Sequence, residues 1–261
     1  MSASIDHGEW ARYLLTGADE RREVQAITKQ IDELLIDDAY AIQAALLELQ
    51  LARGDTLAGA KLGLTSAAKQ QQMGVDEPVY GWVPASSVVA NGGTVALDEL
   101  IHPRCEPEIV FVLAEDLAGP GVTADDVLDA TALVVGGIEI IDSRYEAFSF
   151  TLPDVIADNT SAARVVWGNE GIGPRDMDLA ALSCEFDING DVVASADGSA
   201  LLGDPATCVA HLANHVGRAG LKLEAGWRIL AGAVTDAKPF GADTVATARY
   251  SAVGDVSVTA K

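Results

Sequence analysis

The chain has 261 residues, 49% of them hydrophobic, with 17 Lys plus Arg set against 39 Asp plus Glu for a formal charge of −22. Half-apolar composition supports a sizeable core and excludes general disorder, while the acid excess repels phosphate backbones and anionic membranes and so argues against nucleic-acid or membrane partners. Three cysteines, Cys105, Cys184 and Cys208, stand far apart without C-x-x-C spacing, which argues against a disulfide framework or a zinc ribbon.

The start, "MSASIDHGEWARYLL", has no basic segment followed by an apolar one, and no apolar run approaches the roughly 20 residues that cross a bilayer. The expectation is a soluble cytoplasmic protein. Residues 8–53 carry helix formers at 3.6-residue spacing, with Gly54 as a stop. Within them "IDDAYAIQAALLELQLARG" reads as an amphipathic helix capped near Asp37 or Asp38. From about residue 58 short β-rich runs alternate with Gly, Pro and Asn, beginning with "GAKLGLT" and "VYGWVPA" and ending with "TVATARYSAVGDVSVTA". Asn189-Gly190 in "DINGDVV" marks a hairpin. Helices interrupt at "TADDVLDATA" and "PATCVAHLANHVGRAG". The pattern predicts an α+β chain: a helical N-terminal lobe over 1–75 and a β-rich core over 76–261, the strand near 58–65 belonging to either.

Two carboxylates sit side by side in "HPRCEPEIVFVLA". Side chains at i and i+2 of a strand share a face, so Glu106 and Glu108 project together ahead of an apolar run. Glu139 lies inside another apolar run, "LVVGGIEII", with Asp142 after it. Ionised carboxylates in such surroundings need raised pKa values, basic partners or a bound cation. An all-carboxylate site suits Mg²⁺ or Mn²⁺ rather than zinc. The plainer alternative leaves Glu106 and Glu108 on a solvated face and pairs Glu139 with Arg104 or Arg144. Lys61, between Gly59 and Gly63, either snorkels to solvent or supplies a cation or proton donor beside anions. "HLANH", with His211 and His215, lacks the Glu of a zinc-protease helix and reads as helix surface. "GAKLGLTS" fails as a phosphate loop, and no G-x-S-x-G elbow occurs.

Four stretches together, "GAKLGLTSAAKQQQMGVDEPVYGWV", "IHPRCEPEIVFVL", "GGIEIIDSRYEAFSFTLPDVIADNTSAARVVWG" and "LAGAVTDAKPFGADTVATARYSAVGDVSV", resemble the hydratase/decarboxylase family of the fumarylacetoacetate hydrolase superfamily. The resemblance runs from about residue 10 to the C-terminus and implies a mixed β-roll core with a small helical N-terminal part. It implies Glu106, Glu108 and Glu139 as ligands of Mg²⁺, with Mn²⁺ a substitute, and a substrate-contacting or proton-handling role for Lys61. Ser161 of "ADNTSA" keeps the family's hydroxyl, whereas Thr160 and Ala162 depart from its A-D-N-A-S-S. Asp142 and Arg144 are implied behind the site, and Leu64, Gln72, Glu77 and Asn159 around the pocket. "IHPRCEPEI", "DSRYEAFSF" and "GAVTDA" resemble the decarboxylases more than the hydratases; Pro107 and Asp236 fit neither. The implied activity is metal-dependent decarboxylation of 2-oxo-3-hexenedioate, a small dicarboxylate 2-oxo acid of aromatic meta-cleavage catabolism. The alternatives are hydration of 2-hydroxypenta-2,4-dienoate or a non-catalytic partner role beside a sister hydratase. A complex with that hydratase and a homo-oligomer are implied as well.

Overall fold

The computed structural model describes residues 5–66, 70, 71, 73–75 and 77–261. Five α-helices of six residues or more run through them: α1 (His7–Glu20), α2 (Ile36–Ala52), α3 (Ala124–Ala130), α4 (Leu152–Ala157) and α5 (Pro205–Arg218). The strands are β1 (Leu57–Gly63), β2 (Val79–Pro84), β3 (Val88–Val89), β4 (Thr94–Val95), β5 (Arg104–Leu113), β6 (Thr131–Ile141), β7 (Ala162–Ile172), β8 (Ser183–Ile188), β9 (Asp191–Asp197), β10 (Arg228–Ala233), β11 (Lys238–Pro239), β12 (Val245–Tyr250) and β13 (Asp255–Ala260). Among the described residues no helix is long and apolar enough to cross a membrane.

The continuous helical pattern over 8–53 resolves into α1 and α2 with an irregular link. Arg21 closes α1 in the left-handed region, φ 54°, its N–H returning to Ala18 O. The chain then turns back so that Val24 and Ile27 reach the lobe's core, 3% and 0% exposed. Gly17 permits this reversal, since a Cβ there would stand 2.9 Å from Val24 Cγ1. Burial of two β-branched residues thus overrides the helix propensity of "DERREVQAITKQ". Asp37 and Asp38 lie in the first turn of α2 rather than at its cap, which is Leu35; there they oppose the positive end of the helix dipole, and Asp38 also meets His7 at 2.8 Å. α1 and α2 pack with Val79, Tyr145, Ile156 and Ala157 in one apolar cluster that joins the lobe to the rest of the chain.

The β region forms two mixed sheets. The larger runs β2-β1-β10-β5-β6-β7-β3, with β11 also on β5; the smaller runs β4-β13-β12-β8-β9. β1 therefore pairs inside the larger sheet, parallel to β10 and antiparallel to β2. The Asn189-Gly190 turn joins β8 to β9 with both residues at positive φ, 55° and 93°, the conformation a two-residue type I′ hairpin requires.

β5 divides the interior by its alternation. Cys105, Ile109, Phe111 and Leu113 enter the main core, shared with β12, β13 and α5. On the opposite face Val110 packs with Val83, Val135, Val165 and Leu230, and Glu108, Glu106 and Arg104 continue that face toward the strand's start. Pro107 is tolerated in mid-strand for a specific reason. Its carbonyl accepts from Val234 N, so its missing N–H faces the same side, where the neighbour of β5 changes from β10 at Glu108 to β11 at Cys105.

Candidate metal centre and active-site cavity

Register builds the centre. In the β5–β6 ladder Glu106 lies opposite Glu139 and Glu108 opposite Gly137, so all three glutamates project from one face. They offer one oxygen each within 4.8 Å of one another. Exposures of 8%, 0% and 0% for Glu106, Glu108 and Glu139 overturn the solvated-face alternative. The partner of Glu139 is neither Arg104 nor Arg144 but Lys61, whose Nζ stands 3.0 Å from Glu139 Oε2.

Lys61 is 3% exposed, so it does not snorkel to solvent. Burial alone would lower the pKa of its ammonium, but the Glu139, Glu106 and Glu108 carboxylates outweigh burial and raise it. Nζ also donates to Thr160 O at 3.1 Å. That carbonyl is delivered by an unusual turn: Asn159, Thr160 and Ser161 are all left-handed, at φ 48°, 51° and 60°. Non-glycine residues pay roughly 1–2 kcal/mol each for this conformation, so surrounding bonds must impose it. The Asn159 amide accepts from Trp82 N and donates to Trp82 O, at 2.8 and 2.9 Å, acting as a short strand partner. Gly81 allows the approach, because a Cβ there would lie 2.4 Å from Thr160 Oγ1.

Glu108 is fixed from two sides. Gly232 N donates to its Oε2 at 2.6 Å, and Tyr250 Oη donates to its backbone carbonyl at 2.6 Å. Gly232 holds φ 119°, and a Cβ would collide with Thr65 Oγ1 at 2.0 Å. Burial, reinforced by the Glu139 and Glu106 charges, raises the Glu108 carboxyl well above its ordinary range. Burial likewise pushes Glu139 up to about 7, with Lys61 opposing the shift. Glu108 Oε1 and Glu139 Oε1 are buried and accept no hydrogen bond among the described residues. Unsatisfied oxygens on charge-crowded carboxylates fit a hard divalent cation, and an all-oxygen donor set favours Mg²⁺ or Mn²⁺ over zinc.

A cavity of about 360 Å³ opens beside the triad. Lys61, Leu64, Glu106 and Ser161 line it, together with apolar Val79, Ile141, Phe148, Phe150 and Val155 and the charged groups Arg104 and Asp236. Leu64 is itself left-handed, φ 58°. The remaining expected residues fall elsewhere. Asp142 accepts from the backbone N–H groups of Ile101 and His102, both at 2.8 Å, and so orients the entry to β5. Arg144 pairs with buried Asp158. Asp142, Arg144 and Asn159 line a separate cavity of about 140 Å³. Glu77, expected at the pocket, instead bonds Arg218 on α5 at 2.9 Å; Gln72 lies outside the described residues. His211 is exposed, and His215 packs against the rings of Tyr40 and Tyr80. Reading the sequence missed the cavity roles of Phe148, Phe150 and Arg104. For Arg104 a signal existed, since it precedes Glu106 and Glu108 at the same two-residue interval.

The family model described as fumarylacetoacetate (FAA) hydrolase C-terminal matches residues 54–260. A 4-oxalocrotonate decarboxylase of Pseudomonas sp. (strain CF600) is 40% identical over 90% of this chain and 89% of its own length. A 2-hydroxypent-2,4-dienoate hydratase of Pseudomonas putida is 38% identical over 77% of this chain and 91% of its own. Among solved structures, 4-oxalocrotonate decarboxylase from Pseudomonas putida G7, complexed with magnesium and adipate, superposes with a TM-score of 0.96 over the whole of both chains at 35% identity. The chain belongs to the fumarylacetoacetate hydrolase family.

Proposed function

We propose that the chain is a magnesium-dependent decarboxylase of 2-oxo-3-hexenedioate, the dicarboxylate also called 4-oxalocrotonate. The observation that carries the reading is the buried Glu106–Glu108–Glu139 triad with Lys61 against it, opening on a cavity with a largely apolar wall. Similarity to a decarboxylase over nine-tenths of the chain supports the choice of reaction. Glu106, Glu108 and Glu139 would hold the ion, which when bound supplies Lewis-acid polarisation to the 2-oxo acid end of the substrate.

The substrate carries its own electron sink. Breaking the C5–C6 bond releases C6 as CO₂, and the bonding pair moves through the C3–C4 double bond to the C2 oxo oxygen. Protonation of that oxygen gives 2-hydroxypenta-2,4-dienoate, with atoms and charge in balance. The Lys61 ammonium, kept protonated by the neighbouring carboxylates, is the group that would stabilise or protonate that oxygen. Its bonds to Glu139 and to the Thr160 carbonyl hold it in place before reaction. Leu64, Val79, Phe148 and Phe150 form an apolar wall for the substrate's carbon chain. Ser161, at the same wall, supplies a hydroxyl to orient the substrate.

The 38% identical hydratase keeps a second reading open, addition of water to 2-hydroxypenta-2,4-dienoate in the same site. It also makes a hydratase the natural partner, since the product of one reaction is the substrate of the other. Purified protein with Mg²⁺ is offered 2-oxo-3-hexenedioate and, separately, the dienoate. CO₂ release from the first without consumption of the second supports the decarboxylase; consumption of the dienoate alone replaces it with the hydratase.

A further inference from the structure

We infer that Arg104 is the specificity-determining residue that reads the far carboxylate of a six-carbon 2-oxo diacid, a deepening that rests on the proposed function. Three observations converge on it. Arg104, Glu106 and Glu108 alternate on one face of β5. At the rise of a strand, two residues move the chain by about 7 Å. An extended six-carbon diacid separates its carboxyl carbons by about 6 Å, five bonds of roughly 1.5 Å in zigzag. A 2-oxo acid end seated at the glutamates therefore leaves Arg104, on the wall of the same cavity, within reach of its other end.

Among the described residues that line the cavity, Arg104 is also the cation left for the task. Lys61 is committed to Glu139 and to the Thr160 carbonyl. The guanidinium of Arg104 lies 4.6 Å from the centroid of the Phe148 ring, on an exposed residue of the cavity wall. Stacking at an exposed site is weak enough to coexist with, or give way to, a carboxylate, and the planar fork suits that group in a bidentate geometry.

The chemistry gives this role a kinetic signature. A cation paired with the carboxylate that departs stabilises the substrate more than the transition state, because the charge disappears as neutral CO₂ forms. Arg104 thus lowers KM without raising kcat. Arg104→Met is expected to raise KM for 2-oxo-3-hexenedioate by roughly ten- to a hundred-fold, the range for a lost hydrogen bond to a charged group, with kcat unchanged or higher.

The decisive measurement is calorimetric binding of 2-oxoadipate and 2-oxohexanoate to the Mg²⁺-loaded protein. These probes share the 2-oxo acid end and differ in the far carboxylate. The expected result is a wild-type preference for 2-oxoadipate of about ten- to a hundred-fold. Arg104→Met and Arg104→Gln should abolish it while binding 2-oxohexanoate as the wild type does, and Arg104→Lys should retain part of it. Equal affinity of the wild type for both acids, an equal loss for both in the neutral variants, or a preserved preference would each overturn the assignment. A wild type that binds 2-oxoadipate through Arg104 yet releases no CO₂ from 2-oxo-3-hexenedioate leaves Arg104 in place and refutes the reaction instead.

Discussion

Two buried ionic centres lie close together in this chain, and they are built on opposite principles. Arg144 and Asp158 form one guanidinium and one carboxylate, and the remaining Arg144 donors reach the carbonyls of Asp142 and Ala162 at 2.8 and 3.0 Å. Charge and hydrogen bonds balance there, although burial still pushes Asp158 up to about 6 against the pull of Arg144. Among the described residues the second centre sets three carboxylates against one ammonium and leaves buried oxygens of Glu108 and Glu139 without a hydrogen-bond donor. A balanced buried pair holds a fold in one arrangement, whereas an excess of buried charge is tolerable only where something arrives to cancel it. The difference assigns Arg144–Asp158 to architecture and the triad to chemistry.

Neutralising one member of the triad tests this most strongly. Glu108→Gln or Glu139→Gln removes a charge an ion needs while keeping shape. Turnover is expected to fall by about 10⁴-fold, the rate equivalent of the several kcal/mol a Lewis acid supplies. Thermal unfolding of the metal-free protein should show an equal or higher melting temperature, because repulsion is eased, and the rise produced by added Mg²⁺ should shrink. A variant that responds to Mg²⁺ like the wild type would remove that residue from the ligand set.

The same substitution at the balanced centre should behave in the opposite way. Asp158→Asn leaves a buried guanidinium without its counter-charge and is expected to cost about 3–5 kcal/mol of stability. Chemical denaturation reads the loss, and the increment contributed by Mg²⁺ should match the wild type's. If that increment disappears, the two centres are one functional unit and the division drawn between them fails.

Much of this was legible in the sequence. Alternation placed Glu106 and Glu108 on one face, and Asn189-Gly190 marked its hairpin, because both signals are local. The identity of Glu139's partner was not, since Lys61 reaches it through sheet order: β1 meets β10, β10 meets β5, and β5 meets β6. The left-handed run Asn159–Ser161 was equally hidden. No glycine announces it; the missing side chain is at Gly81, on another strand. The break between α1 and α2 escaped for a related reason, as Val24 leaves helical geometry and Ile27 opens a short 3-10 turn to satisfy a core assembled from distant segments.

Lys61 sharpens the comparison at the level of sign. Lys61→Met should lower turnover by about 10²-fold, similar to the loss of one preorganised donor, and Lys61→Arg should rescue poorly, because a planar fork does not replace a compact ammonium between Glu139 and the Thr160 carbonyl. Without the ammonium the triad has lost the counter-charge that the described residues give it. The metal-free protein should therefore melt lower than the wild type and gain more from Mg²⁺, the reverse of the glutamate variants. Parallel melts with and without Mg²⁺ decide it; a gain no larger than the wild type's would contradict the pairing.

The smallest effect is a slope with pH. Glu139 titrates at about 7 in the folded chain and near 4.3 when unfolded, so between those values the folded state holds a proton that the unfolded state has released. Stability from this group is fully present below the unfolded value and is lost as pH rises through about 7. The raised Glu108 carboxyl acts in the same direction. Each such proton contributes at most about 1.4 kcal/mol per pH unit. The acid-rich surface adds its own decline over this range, so the relevant quantity is the difference from Glu139→Gln, which cannot release that proton. Metal-free wild type should lose stability more steeply than the variant between pH 5 and about 7. Saturating Mg²⁺ should flatten the excess, because it binds the carboxylates only once they are deprotonated. Identical slopes for the two metal-free proteins in urea titrations would mean that Glu139 is already ionised in the folded chain and that Lys61 alone balances it.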